Sequence, residues 1–365
     1  VISSRRTYVT ASLLLGLLIA VPWLPGCAGP SYYAQAATGQ IRLMRQRQEI
    51  EPLLADPSTD PELARRLRTA QEILAFGTRT LGLPSSGSYT HVTQTGRSAV
   101  TWTVTAAPEF SLELKTWCFL VAGCVPYRGY FDPDDAERFA GKLRRKGYDV
   151  FVAPATAYST LGWFDDPLLD TMFSRGDIAL AGVLFHEMAH QALYVKDDTA
   201  FNESFASFVE ETSVRQWLEE KGKSTEWRAW QLERRKAREA DERFEHARGE
   251  LSALYASDRT DEAMREEKAR IIGTLCEASR HLPGSPSIKD ASTGGAAPCP
   301  INNARVALHA SYRGGGCSFQ RLFEASGRSM PEFLLHAGQI ANLSAEARKQ
   351  WLDQPCSTVA REGNL

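Results

Sequence analysis

Apolar residues fall at two different spacings along the chain. After residue 28 the spacing is helical as far as about residue 82. Ile41, Leu43 and Met44 open one stripe, and Leu63, Leu67, Ala70, Ile73 and Leu74 form a second at mostly three- and four-residue steps. Asp60 offers that second helix an N-cap acceptor, Pro61 is a first residue with no N–H to lose, and Gly82 and Pro84 close it. The period then changes to two. Val100-Thr101-Trp102-Thr103-Val104-Thr105 alternates and is rich in β-branched side chains, which predicts a strand. Trp117 to Tyr130 reads as a hairpin turning at Gly123, and Asp132-Pro133 as the start of a helix to about Lys146. Tyr148 to Val152 reads as another strand, and Tyr158 to Phe164 as an edge strand stopped by Asp165-Asp166-Pro167.

From Asp177 the pattern is helical again. Ile178 to Phe185 is apolar nearly all round, the mark of a buried helix. The next helix is expected from about Asn202 to Leu218, ended by Gly222. Residues 224–280 are dense in charge, yet Trp230, Ala237, Phe244 and Leu251 recur every seven, with Ala240, Ala247 and Leu254 three behind. That predicts the seam of a long helical hairpin, with Glu239–Arg243 and Glu266–Arg270 as supporting i,i+4 pairs on its solvated face. A Pro- and Gly-rich loop over 282–300 and two final helices, roughly 301–325 and 330–352, complete an α+β chain without internal repeats.

Composition narrows the class. The chain has 365 residues, 43% hydrophobic and 24% charged, enough for a sizeable core and unlike a disordered or polytopic membrane protein. Lys plus Arg is 42 against 44 acids, a net charge of −2 without the basic surplus of a nucleic-acid binder. The N-terminus is an address. Arg5 and Arg6 precede an uncharged run from Tyr8 to Leu24, then Pro25-Gly26-Cys27. The cysteine behind a small residue resembles a bacterial lipobox. This implies cleavage before Cys27, lipid on that cysteine, and a protein held at the membrane facing the periplasm, with the outer membrane as the expected anchor. Ser4-Arg5-Arg6 is also similar to a twin-arginine export signal. Residues 1–27 are therefore set apart from a domain over 28–365. Its parts are a helical stretch (28–85), a mixed α/β stretch (86–180), two helices (181–222), the charged hairpin (223–283) and the loop with C-terminal helices (284–365). Besides Cys27 there are six cysteines, an even number suited to an oxidising compartment. Cys118 and Cys124 suit a short hairpin bridge; Cys276, Cys299, Cys317 and Cys356 allow three pairings.

The chemistry lies at residues 186–203. His186-Glu187-Met188-Ala189-His190 is HExxH, and on a helix residues four apart share a face, so both imidazoles can converge on one zinc ion. Glu187 stands beside them, placed to take a proton from a water that the metal acidifies. A catalytic zinc has three protein ligands and one open position. Glu203, thirteen residues past His190 at the start of the next helix, supplies the third if the turn through Lys196-Asp197-Asp198-Thr199 folds that helix back.

HExxH followed by an Asn-Glu-x-Phe-Ala helix resembles the gluzincin metallopeptidases, which include thermolysin and the leukotriene-hydrolase-like aminopeptidases. In those the second segment's glutamate is the third zinc ligand, a role that carries to Glu203. The interval here is shorter, and the Gly-x-Met-Glu-Asn strand that holds a free amino terminus in such aminopeptidases is missing. A closer likeness covers nearly the whole chain. The lipobox, Trp117-Cys118-Phe119, Tyr127 to Phe131, Tyr158 to Pro167, the HExxH segment, Thr199 to Ala206 and Asn302-Asn303-Ala304 together look like the bacterial family labelled "putative aminopeptidase". That resemblance implies an α+β zincin-like domain with a small sheet, an HExxH helix and a Glu helix. It further implies a secreted or lipid-anchored zinc peptidase acting on peptides or proteins.

Supporting roles have several candidates. Trp163 can wall a substrate cleft, and Asp198 or Glu210 can orient a zinc-bound imidazole, Glu210 being seven residues past Glu203 on the same helix face. Tyr312, His309, Tyr127 and Arg128 are candidate donors to the oxyanion, Tyr312 foremost as a catalytic residue beside Glu187. His91, His246, His281 and His336 belong to no motif. Two other functions fit the same residues: a lipid-anchored metalloendopeptidase of envelope quality control, or a partner-binding protein in which zinc is structural.

Overall fold

The structure, a computed structural model, describes residues 29–119, 123–157, 160, 165–279, 300–311 and 316–354. The early helical stretch is three helices: Pro30–Arg45 (α1), Ile50–Ala55 (α2) and Pro61–Arg79 (α3). Asp60 caps α3 as its chemistry suggests, its side chain accepting from Leu63 N at 2.8 Å. The apolar stripe of α3 is buried through Leu67, Ala70 and Ile73, whereas on α1 Leu43 is buried and Ile41 is left exposed.

Two three-stranded sheets and a two-stranded hairpin follow among the described residues. Thr101–Pro108 (β3) is the centre of an antiparallel sheet between Arg128–Tyr130 (β6) and Tyr148–Ala155 (β7). The helix Pro133–Arg144 (α4) packs on this sheet and shares a core with it built on Val104, Tyr130, Ala136, Ala140, Leu143 and Val150. Asp132 caps α4 through Asp134 N. The other sheet is short: Gln48–Glu49 (β1) pairs with His91–Thr93 (β2), which runs parallel to Leu168–Leu169 (β8). The expected hairpin is only half of the 117–130 stretch. Trp117–Phe119 (β4) pairs with Gly123–Val125 (β5), bridged by the Cys118–Cys124 disulfide, while β6 leaves for the larger sheet. Cys276 and Cys317 are also disulfide-bonded; Cys27, Cys299 and Cys356 lie outside the described residues.

The largest core lies among helices. Asp177–Ala192 (α5) is buried through Leu180, Ala181, Leu184, Phe185, Met188 and Ala189, as its unbroken apolarity requires. It packs on α3 and on Thr199–Glu220 (α6), whose Phe201, Phe205 and Phe208 meet Phe319 and Phe333 from the C-terminal helices. The helix α6 begins at Thr199 rather than near Asn202 because Asp198 captures Phe201 N at 3.1 Å.

The charged hairpin is Ser224–Tyr255 (α7) with Asp261–Ser279 (α8). Its seam is real only in the distal half, where Phe244, Ala247, Leu251 and Leu254 are buried against Ile271 and Leu275. Being 32 residues against 19, α7 outruns its partner, so Trp227 and Trp230 pack on the main core instead. The expected i,i+4 ion pairs are not those found. Arg243 donates to Ala278 O, and Arg270 takes Glu267 and Glu250 in place of Glu266. The two expected final helices are four, Asn303–Ser311 (α9), Gly316–Ala325 (α10), Met330–Ala341 (α11) and Ala345–Leu352 (α12), the last started anew by the Ser344 cap. Tyr158, Trp163, His281, Tyr312 and the N-terminal segment expected to be an export signal lie outside the described residues. Among the described residues no helix is long and apolar enough to cross a membrane.

Candidate metal centre

HExxH occupies the last two turns of α5, and a loop of residues 193–198 returns the chain to α6. Asn202 fixes that loop. The residue is only 2% exposed, and its side chain accepts from Val195 N at 2.8 Å and donates to Val195 O at 2.7 Å. Asp198 fixes the other end, capping Phe201 N and receiving Arg348 Nε at 2.7 Å. Phe201, Phe205 and Phe208 bind one side of α6 into the core, and at 100° per residue Glu203 is turned to the other side.

The result is convergence. His186 Nε2 and His190 Nε2 are 3.2 Å apart. The Glu203 carboxylate lies 3.4 Å from His186 Nε2 and 3.9 Å from His190 Nε2. Donors at corners of a tetrahedron with bonds of about 2.1 Å stand about 3.4 Å apart, so the three residues already have the spacing of a metal's ligands. Among the described residues they are the His, Cys, Asp and Glu group whose donor atoms all fall within 4.8 Å of one another. The site is also dry enough to hold an ion firmly: His190 is 9% and Glu203 8% exposed.

A fourth side chain completes the support. Glu210 Oε2 lies 3.2 Å from His186 Nδ1, the ring nitrogen not facing Glu203. Of Asp198 and Glu210 it is the one that reaches an imidazole; Asp198 is engaged as a cap and with Arg348. Space for Glu210 comes from Gly182, one turn before His186, where an added Cβ would stand 3.1 Å from Glu210 Oε1.

These charges polarise the two rings in opposite senses. Burial opposes a proton on His186, but the hydrogen bonds that its ring donates to Glu203 and Glu210 overcome it and raise the pKa to about 10. His190 is lowered to about 4 by burial and by the charge on His186. Without a metal, the pair therefore keeps one proton on His186 at neutral pH.

Two tyrosines frame the site that sequence reasoning did not single out. Tyr89 is buried, sits in the left-handed region at φ 66°, and donates its backbone N–H to Asp166 O at 2.7 Å. Its hydroxyl is pushed well above the ordinary range by burial and then by the charges of Glu187 and Asp166. Such strain in a bulky residue beside HExxH is the kind of local signal a sequence does not carry. Tyr194, just beyond α5, has its ring 6.2 Å from that of His190, and its hydroxyl is raised by burial, Glu203 and Asp197.

The other expected donors are elsewhere engaged. His309 bonds Asp241 at 2.8 Å and stacks on Phe244, within the hairpin core. Arg128 lies over the rings of Tyr32 and Phe139 in the sheet core. Among the unassigned histidines, His91 contacts Thr90, His246 pairs with Glu250 and His336 meets Ser326.

Fold and site together define an α+β protein in which consecutive helices present a His-His-Glu set able to hold a metal ion. The chain belongs to the family described as "Putative aminopeptidase", which it matches over residues 31–352, and membership implies a peptide hydrolase. No curated protein and no solved structure matches it.

Proposed function

We propose that the protein is a zinc-dependent aminopeptidase of the bacterial cell envelope, exported and tethered by lipid on Cys27. The observation that carries the zinc reading is the mutual spacing of His186, His190 and Glu203, which suits three ligands of one tetrahedral ion. Two imidazoles and a carboxylate are also a donor set that zinc favours, once the proton on His186 is displaced. A structural zinc would be expected to draw a fourth protein ligand, and the group among the described residues is three. His186, His190 and Glu203 would hold the ion, which would supply Lewis acidity toward a water and the scissile carbonyl. The chain's own part is division of labour. Glu203 and Glu210 fix the imidazoles, and Glu187, next to His186 on α5, takes the proton of the attacking water and passes it to the leaving amine.

The test is metal analysis of the protein lacking residues 1–27, combined with digestion of a peptide library. Stoichiometric zinc and release of single amino acids from the amino end are expected. Internal cuts would replace the aminopeptidase by an endopeptidase, and absence of both metal and cleavage would remove the reading. Loss of lipid labelling in Cys27→Ser would separately check the tether.

A further inference from the structure

A cavity of about 350 Å³ opens beside the metal-site helix α6. Thr199 and Ala200 line it, and they stand four and three residues before Glu203, hence on its face of the helix and one turn away. The remaining walls mix Leu112, Leu114 and Pro126 with Thr116 and the disulfide-bonded Cys124, and Ala307 of α9 also lines it. Two carboxylates also reach it, Asp197 and Asp198. They are not equivalent. Asp198 is neutralised by Arg348 and occupied as the α6 cap. Asp197 accepts only Cys124 N, through Oδ1, and has no cationic partner among the described residues.

Asp197 is also placed with care. It sits in the left-handed region at φ 66°, and the disulfide-bridged hairpin presses on it so closely that a Cβ at Gly123, itself at φ 74°, would overlap Oδ1. Tyr194, three residues before Asp197 in the same loop, sets its ring 6.2 Å from that of His190 and so ties this corner to the metal centre. A cavity of mixed apolar and polar walls, with a solvent-exposed carboxylate at its rim and a helix that carries a metal ligand one turn further on, suits a short side chain beside an ammonium.

We propose that this cavity receives the first residue of a peptide substrate and that Asp197 holds its free α-ammonium group. This rests on the peptidase reading, and it gives the protein an acidic anchor for an amino terminus in place of the Gly-x-Met-Glu-Asn strand that the chain lacks. The carboxylate then fixes which bond reaches the metal, because the ammonium cannot slide past it.

Calorimetry on the zinc-loaded Glu187→Gln protein, which binds without turnover, tests this with Leu-Gly-Gly, its N-acetylated form and an N-acetylated lysine peptide. The free amine should bind at least about tenfold more tightly than the acetylated form, as a charge-assisted contact implies. Asp197→Asn, which keeps the acceptor for Cys124 N, should abolish that difference and leave the acetylated peptide unchanged. Ala200→Leu, which narrows the cavity, should weaken Leu-Gly-Gly and spare Gly-Gly-Gly. Equal binding of free and acetylated peptides, a preference that survives Asp197→Asn, or an Asp197 effect confined to the lysine side chain would each overturn the assignment. If the unmutated protein takes up no zinc and cleaves no peptide, the peptidase reading itself falls, an outcome distinct from zinc-loaded protein that cleaves without regard to the amine.

Discussion

Glu210 grips His186 on the nitrogen that faces away from Glu203, 3.2 Å from Nδ1. The contact sets the tautomer that leaves Nε2 free for a metal, and its negative charge raises the basicity of the ring. Glu210→Gln should therefore lower zinc affinity by about 10- to 100-fold, measured by competition with a chelator. Gly182→Ala tests the same contact from the other side. Its new methyl group would stand 3.1 Å from Oε1, so the carboxylate must shift by a few tenths of an ångström, and a smaller loss of affinity is expected. Unchanged affinity in both variants would show that the Glu210 contact is incidental.

The two rings also predict how stability depends on pH once the metal is removed. His186 is raised in the folded state, from 6.5 to about 10. Its stabilisation is fully present below the unfolded value of about 6.5 and is lost as pH rises through about 10. His190 is lowered to about 4, so a penalty develops as pH falls below the unfolded value and the unfolded chain takes up the proton first. Chelator-treated protein should thus have its highest midpoint of thermal unfolding near neutrality and lose it between pH 7 and 10. Zinc displaces the proton on His186, so zinc-loaded protein should lack the alkaline slope, and the gap between the two midpoints should widen with pH. A gap that narrows would contradict the placement of the proton.

Asn202 stands next to Glu203 yet works on the loop before it. Replacing it with Ala leaves the Val195 N–H and C=O without the partners they have at 2.8 and 2.7 Å. The expected cost is about 2 kcal/mol in denaturant unfolding. Because the loop sets where Glu203 points, zinc affinity should fall as well, whereas Thr59→Ala, which removes a side-chain bond to Leu53 O far from the loop, should leave it alone.

Those residues show what a sequence can disclose. The clustering of His186, His190 and Glu203 was legible because metal chemistry fixes residue type and helical spacing together, and the place of Glu210 because seven residues bring a side chain back to the same face. Helix starts at Asp60, Asp132 and Asp198 are written in cap chemistry, though the proximity of Asn202-Glu203 to the helix start hid the true cap. What failed was partnering at long range. The heptads of α7 are continuous, but nothing in them reveals that α8 is too short to cover the first half. Arg270 has acids at several reachable positions, and packing selects Glu267 and Glu250. Tyr89 and Asp197 carry no motif at all; their left-handed backbone and their neighbours arise only when distant segments meet.

Glu187 carries the sharpest test because its substitution separates holding a metal from using one. It adjoins His186 in α5 but is not one of the three close donors. Glu187→Gln keeps size and hydrogen-bonding shape while removing the basic oxygen, so zinc content and thermal midpoint should stay near those of the unmutated protein. Loss of a general base costs about 10²- to 10⁴-fold in rate, and kcat should drop by that factor with KM little changed. His190→Ala should behave differently, losing zinc and activity together. If Glu187→Gln hydrolyses a responsive peptide at full speed, proton transfer runs through another group, and the buried Tyr89 hydroxyl in the field of Glu187 and Asp166 is where the search would turn.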